Sequence, residues 1–200
     1  MKFMPMKKNA FALKIDMAKA YDRLSWLFIK DTLHSFGIQG HTNDLIMECI
    51  PTPSMSVLIN GKPEGWFRPG RGIRQGCPLS PYIFILCTEV FSHIFYNYEV
   101  ADLYHGVRIN RCAPTVSHLL FADDSLIFCH ATASSLACVQ EILHKFSEWS
   151  GEKINYDKSS ILFSRHVAEA DRNTFAGMLH LTNMASRAGP GMISIWDILF

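Results

Sequence analysis

The chain has 200 residues, 48% of them hydrophobic and 18% charged, with a formal net charge of +1. That suffices for one well-buried domain, and the longest apolar stretch, Tyr82 to Cys87, falls far short of the ~20 residues a membrane-spanning helix needs. With no secretory leader at the start, a soluble intracellular protein is expected, with no membrane partner and with compartment and oligomeric state left open. Six cysteines without a C-x-x-C pair sit mostly in apolar runs, where the thiol acts as a small hydrophobe, so neither disulfides nor zinc are expected.

Phe11, Leu13 and Ile15 alternate with Ala12, Lys14 and Asp16, which predicts a strand with Asp16 on the face opposite the apolar one. Trp26, Ile29, Leu33 and Phe36 recur at helical spacing, with Ser25 or Asp22 as N-cap and Gly37 as stop. Met55, Val57 and Ile59 alternate up to Asn60-Gly61, a two-residue hairpin signal, and Trp66-Phe67 opens the return strand. A glycine-rich loop follows, then Ser80-Pro81 as N-cap and first helical residue of a run to about Tyr98 that is apolar nearly all round and should be buried. Leu136, Val139, Ile142, Leu143, Phe146 and Trp149 mark another amphipathic helix stopped by Gly151, and Ile161 to Phe163 a last short strand. The order reads as an α+β fold, an antiparallel sheet with helices packed on one face.

Phe121-Ala122-Asp123-Asp124 sits at a tight reversal between two apolar runs, His118 to Phe121 and Ser125 to Cys129. Asp is an ordinary turn residue, so alone this pair says little. If the strand ending at Asp16 lies beside that hairpin, however, three carboxylates converge on one sheet edge, an arrangement unstable unless protonated or neutralised by cations. Magnesium is the natural partner, a hard ion that binds through one or two carboxylates plus substrate phosphates. Two such ions about 3.5 to 4 Å apart can activate an attacking hydroxyl and stabilise a leaving pyrophosphate. The alternative is acids merely solvated at a strand end. Net charge is modest for nucleic-acid binding, but Lys2, Lys7, Lys8, Lys14, Lys19 and Arg23 cluster early, and Arg68, Arg71 and Arg74 crowd the glycine-rich loop.

Lys14-Ile15-Asp16 through Asp22, Arg74 through Pro81, Phe121 through Asp124 and Gly151 through Ser159 resemble, in order, motifs A, B, C and D of reverse transcriptases. The similarity is to the non-LTR (LINE-type) retrotransposon group, particularly its plant members, and runs from about Phe11 to Ser164. The resemblance implies a polymerase palm, RNA-directed DNA synthesis, an RNA or DNA template with primer, deoxynucleoside triphosphates, and two Mg2+ ions for which Mn2+ can substitute. It makes Asp16, Asp123 and Asp124 catalytic metal ligands, Asp16 and Asp123 the more direct ones, with Met17 lending a backbone carbonyl. Tyr21 matches the bulky residue that excludes a ribose 2′-hydroxyl; an ordinary core aromatic is the alternative. Arg74, Gln75 and Gly76 match residues lining nucleotide and template, and glycine permits close backbone approach there. Cys77 is read as packing. Lys158 matches the lysine proposed to protonate pyrophosphate, or is a solvated surface lysine.

The sequence departs from the family at both ends. Residues 1–10 read as an extension, 11–164 as the palm and 165–200 as a divergent tail, with fingers, thumb and endonuclease largely absent. The stretch from Ala188 to Phe200 reads as a frameshift, splice product or truncation. Positioning matters in such sites, and about 1 Å of misplacement can cost roughly 100-fold, so turnover by the isolated chain is doubtful. The competing expectations are a non-catalytic remnant or nucleic-acid-binding module, and a palm-like nucleotide cyclase, which the loop from Arg74 to Pro81 disfavours.

Overall fold

Alternating and 3.6-residue patterns set most of the element order of this computed structural model, which describes residues 9–108, 112–181 and 183–184. In chain order the elements are β1 (Ala10–Asp16), α1 (Ala20–Arg23), α2 (Trp26–Ser35), α3 (His41–Cys49), β2 (Met55–Ile59), β3 (Lys62–Phe67) and α4 (Ser80–Val100). They continue with β4 (Val107–Arg108), β5 (Thr115–Val116), β6 (His118–Phe121), β7 (Asp124–His130), α5 (Ala133–Ser150), β8 (Ser160–Phe163) and α6 (Glu169–Met178). Lys2, Lys7 and Lys8 and the divergent stretch from Ala188 to Phe200 lie outside the described residues. The chain divides into a sheet unit, residues 1–18, 91–145 and 154–200, and a helical unit, residues 19–90 and 146–153.

The sheet unit is built on four strands in the order β6-β7-β1-β8, every neighbouring pair antiparallel. Residues opposite one another in such a ladder share a face. Leu13 lies opposite Ile127 and Ile161, and Phe11 opposite Cys129 and Phe163, so these form one apolar face. Helices pack on it: Phe95 of α4 stacks on His118 of β6 at 4.7 Å, and Phe175 of α6 lies 6.3 Å from Phe163. Full burial of such side chains is worth about 1.5–3 kcal/mol each.

The opposite face corrects the sequence expectation for β1. Ala10, Ala12, Phe128 and Leu162 are buried there too, covered by Val107 of β4 and Val116 of β5. The Tyr104 hydroxyl pins this cover, lying 2.7 Å from the carbonyl of Phe128 and 3.1 Å from that of Ser117. On β1 itself only Lys14 and Asp16 make this face polar, at the strand's far end. Two-residue strands such as β4 and β5 are too short for any alternation to show.

In the helical unit, Ser25 rather than Asp22 caps α2, its hydroxyl accepting the Phe28 N–H at 3.5 Å. Gly37 follows the helix with φ 81°, the left-handed conformation that ends helices. Helix α3 has no counterpart in the sequence reading because Leu45, Ile46 and Met47 are contiguous instead of periodic. It is fixed by the buried Asn43 amide, which donates to the carbonyls of Ile38 and Lys30 at 3.0 and 3.4 Å. Asn60 and Gly61 both have positive φ, 50° and 80°, as the hairpin turn between β2 and β3 requires.

Two helices differ from expectation. Helix α4 begins a residue early, Ile83 N–H bonding the Leu79 carbonyl, and the Ser80 hydroxyl donates to the Arg74 carbonyl at 2.7 Å instead of capping. It is also not buried all round: Ile83, Phe84, Cys87, Phe91 and Phe95 are inside, whereas Tyr82, Ile85, Tyr96 and Val100 are exposed. Apolar composition hid an amphipathic burial stripe of ordinary period. In α5 the buried stripe continues from Phe146 to Ser150, one turn on, which leaves Trp149 exposed.

Candidate active site

Strand register builds the acidic end of the sheet. Asp16, the last residue of β1, lies directly opposite Asp124, the first of β7, and Phe121 lies opposite Asp124 on its other side. The three side chains therefore share one face, with Phe121 82% exposed. The turn between β6 and β7 has two central residues, Ala122 and Asp123. Ala122 has φ 52°, a conformation that costs a non-glycine residue roughly 1–2 kcal/mol. Asp16 and Asp124 are half-buried and Asp123 is exposed. The expected convergence at one sheet edge holds for Asp16 and Asp124, whereas among the described residues no three His, Cys, Asp or Glu lie close enough to hold a metal ion.

Lys14, two residues before Asp16 on the same face, ion-pairs with Asp124 at 3.1 Å. It neutralises one acid of the facing pair, which limits the repulsion that two adjacent carboxylates would otherwise suffer.

The segment after Gly151 holds the backbone of Asp16. Asn155 N–H donates to the Asp16 carbonyl at 2.9 Å, and Asp16 N–H donates to the Ser159 hydroxyl at 3.1 Å. Ser159, fully buried, donates its hydroxyl to the Asn155 carbonyl at 2.8 Å. Met17 is buried and forms a bridge with Ile154. Lys158 sits exposed in the turn that makes this clamp, its N–H on the Asn155 carbonyl at 3.2 Å.

Tyr21, Arg74, Gln75 and Gly76 belong to the helical unit. Tyr21 is half-buried and stacks on Phe84 with ring centroids 4.9 Å apart and planes 15° apart, so it has a packing role whatever else it does. Arg74, Gln75 and Gly76 are exposed. Their loop is tied to the segment carrying Tyr21: Gly72 N–H donates to the Leu24 carbonyl at 2.8 Å, Ile73 N–H to the Tyr21 carbonyl at 2.7 Å, and Trp26 Nε1 to the Gly72 carbonyl at 2.8 Å. A Cβ on Gly72 would lie 2.7 Å from the Asp22 carbonyl oxygen. Cys77 is half-buried, its thiol drawn below the ordinary range mainly by a hydrogen bond from the Leu79 backbone.

Residues 2–179 match the family described as reverse transcriptase (RNA-dependent DNA polymerase). The chain belongs to that family. Relatives of this reverse transcriptase chain include an uncharacterized mitochondrial protein of Arabidopsis thaliana, 50% identical over 34% of the chain. Another is a retrovirus-related Pol polyprotein from a type-2 retrotransposable element of Drosophila melanogaster, 29% identical over 76% of it. The chain spans 56% of the Arabidopsis protein and 13% of the Drosophila polyprotein. In fold it is similar to telomerase of Candida albicans in complex with a fragment of telomeric RNA, with TM-score 0.60, 20% identity, and coverage of 82% of this chain and 28% of that one. The α+β, palm-like fold expected from the sequence is thus shown. No helix among the described residues is long and apolar enough to cross a membrane.

Four residues that hold these segments were not singled out as site residues by the sequence: Lys14 and, at the Asp16 backbone, Asn155 and Ser159 in the sheet unit, and Gly72 in the helical unit. Lys14 was legible in principle, since alternation puts it on the Asp16 face. The other three act through backbone contacts between distant segments, which no local pattern encodes.

Proposed function

We propose that residues 11–164 form the catalytic palm of an RNA-directed DNA polymerase. A primer 3′-hydroxyl attacks the α-phosphate of a deoxynucleoside triphosphate opposite an RNA or DNA template, and pyrophosphate leaves. The observation that carries this reading is the pairing of Asp16 with Asp124 across β1 and β7, with Asp123 in the adjoining turn. Lys14 engages Asp124, which leaves Asp16 and Asp123 as the less committed carboxylates.

All-oxygen donors suit a hard divalent ion. Asp16 and Asp124, which face one another, would with Asp123 of the adjoining turn and the Met17 carbonyl hold two Mg2+, or Mn2+ in their place, once substrate phosphates complete the oxygen set; the ions would acidify the attacking hydroxyl and stabilise charge on the leaving group. The clamp from Asn155 and Ser159 fixes the peptide that carries Asp16. Exposed Lys158 supplies a proton to pyrophosphate. Tyr21, braced by Phe84, excludes a ribose 2′-hydroxyl by bulk, and Arg74, Gln75 and Gly76 meet nucleotide and template.

Primer extension on a primed RNA template tests the reading. Template-dependent, Mg2+-dependent incorporation should fall by roughly 100-fold or more in Asp123→Asn, as expected when a group that positions reacting atoms is lost. Equal incorporation by the variant would remove Asp123 from the mechanism. Tyr21→Val should relax discrimination against ribonucleotides; unchanged selectivity would make Tyr21 a packing residue only.

A non-catalytic nucleic-acid-binding remnant is the second reading, and the Lys14–Asp124 ion pair favours it, since a cation already serves one acid. Mn2+ relaxation of solvent protons separates the two. Tight Mn2+ binding that is lost in Asp16→Asn supports the polymerase, and binding indifferent to that change supports the remnant.

A further inference from the structure

The β2–β3 ribbon exposes apolar side chains on both faces. Ladder pairing puts Val57, Ile59 and Phe67 on one face and Leu58 and Pro63 on the other, where Leu58 is 70% exposed. A bulge between Met55 and Val57 sets Gly65, φ 67°, and Trp66 against the single residue Ser56. The extra residue is absorbed by glycine, so Trp66 joins Leu58 and Pro63, 73% exposed. A two-stranded ribbon is at best marginal in water alone, and an exposed apolar patch of this kind marks a binding surface.

Charge identifies the occupant. Lys62, Arg68 and Arg71 are exposed on and just after β3, against Glu64 as the one acid between residues 53 and 76. None of the three cations makes an ion pair with a described residue. A second copy seated on this ribbon would set like charges against like. Strand addition along β3 is opposed by Pro63, which has no N–H, and by the bulge. An aromatic platform flanked by unpaired cations is instead the recognition chemistry of single-stranded nucleic acid, in which bases stack on the ring and phosphates meet the cations.

We propose that the Trp66 face of the β2–β3 ribbon binds single-stranded nucleic acid, with a base stacked on Trp66 and phosphates on Arg68 and Arg71, which follow Trp66 in the chain, while Lys62, opposite Ile59, serves the other face. The inference deepens the polymerase reading and rests on it for the source of the strand, an unpaired stretch of template. Binding is sequence-tolerant, because every base offers a π-face.

The test uses the full chain without metal or nucleotides, so that catalysis has no bearing on it, and fluorescence anisotropy of labelled oligouridine. Trp66→Ala should weaken binding roughly 10-fold and Trp66→Phe should restore most of it. An abasic strand of equal length should bind wild type weakly and be indifferent to Trp66→Ala. Arg68→Ala with Arg71→Ala should lower the slope of log affinity against log salt by about two. Photocrosslinking of 5-iodouridine strands to wild type, mapped by mass spectrometry, should mark Trp66 without any variant. Equal affinity of wild type and Trp66→Ala with crosslinks elsewhere overturns the proposal, as does a Trp66→Ala variant that only shifts sedimentation from dimer to monomer. Primer extension that fails while strand binding depends on Trp66 sinks the polymerase reading alone; extension with Trp66-independent binding sinks this one alone.

Discussion

The acidic end of the sheet and the glycine loop of the helical unit place, by different means, the residues proposed to act. Asp16 and Asp124 owe their positions to ladder register, where a slip of one residue would send each side chain to the other face. That register is enforced by apolar burial on both faces of β1. Arg74, Gln75 and Gly76 have no ladder. Their loop is held by backbone bonds from Gly72 and Ile73 to the carbonyls of Leu24 and Tyr21, and by an approach so close that only hydrogen fits at Gly72. Register tolerates side-chain change on its buried faces as long as volume is kept, whereas the loop depends on one missing methyl group.

The comparison breaks most sharply at two glycines. Gly72→Ala adds a Cβ against the Asp22 backbone at φ 84°, where nothing flexible can give way. We expect a loss on the order of 3 kcal/mol or more, read as a lower urea midpoint. Cleavage near Arg71 and Arg74 in limited proteolysis should rise with it. Gly106→Ala is the matching test in the sheet unit, where the added Cβ meets the Val116 backbone and would lift the β4–β5 cover. It should expose the Phe128 face and destabilise by a similar amount. A near-neutral effect at Gly72 alone would mean that the loop is not clamped as described.

Glu152 sharpens the contrast, because the helical unit carries an electrostatic burden. Glu152 is 2% exposed, and neither carboxyl oxygen has a hydrogen-bond partner. Burial raises its pKa from 4.5 to about 8, against the pull of Arg23 and with help from Asp22. Because the folded value is the higher one, its contribution is fully present below about pH 4.5 and is lost as pH rises through about 8. Glu152→Gln should therefore stabilise the chain at neutral pH by on the order of 1–3 kcal/mol. Urea unfolding at several pH values checks this. Wild type should weaken between about pH 4.5 and about 8, the window set by that shift, and the variant should lack that loss.

Ser159→Ala probes the sheet unit at smaller scale. It strips the acceptor from Asp16 N–H and the donor from the Asn155 carbonyl, which should cost about 1–2 kcal/mol. Primer extension should fall more than stability does, because the peptide that loses its partner carries Asp16.

Much of this was legible beforehand, for a physical reason. The strand β1, the Asn60-Gly61 hairpin, the helix from Trp26 and the acidic reversal all have signals of period 2, period 3.6 or turn chemistry that lie within a dozen residues. Helix α3 was not legible because its apolar residues are contiguous, and α4 was misread because Tyr82, Ile85 and Tyr96 look like core residues yet face outward. The site divided along the same line. The acids stood in recognisable local frames, whereas the clamps from Gly72 and Ser159 join residues 46 to 143 positions apart in sequence, and nothing local marks them.

The smallest effect lies in the turn between β6 and β7 that carries Asp123. Ala122 alone of its two central residues has positive φ, 52°, the type II′ pattern that takes glycine at this place. Ala122→Gly removes roughly 1–2 kcal/mol of strain and adds about 0.5–1 kcal/mol of unfolded-chain entropy, so the variant should be more stable by about 0.5–1 kcal/mol. Activity should move the other way. The alanine restricts the peptide that carries Asp123 to one conformation, and a glycine lets that carboxylate wander from the face shared by Asp16 and Asp124. A variant that gains stability and loses incorporation would show that the strain is retained for positioning; one that gains both would make Ala122 a plain defect of the turn.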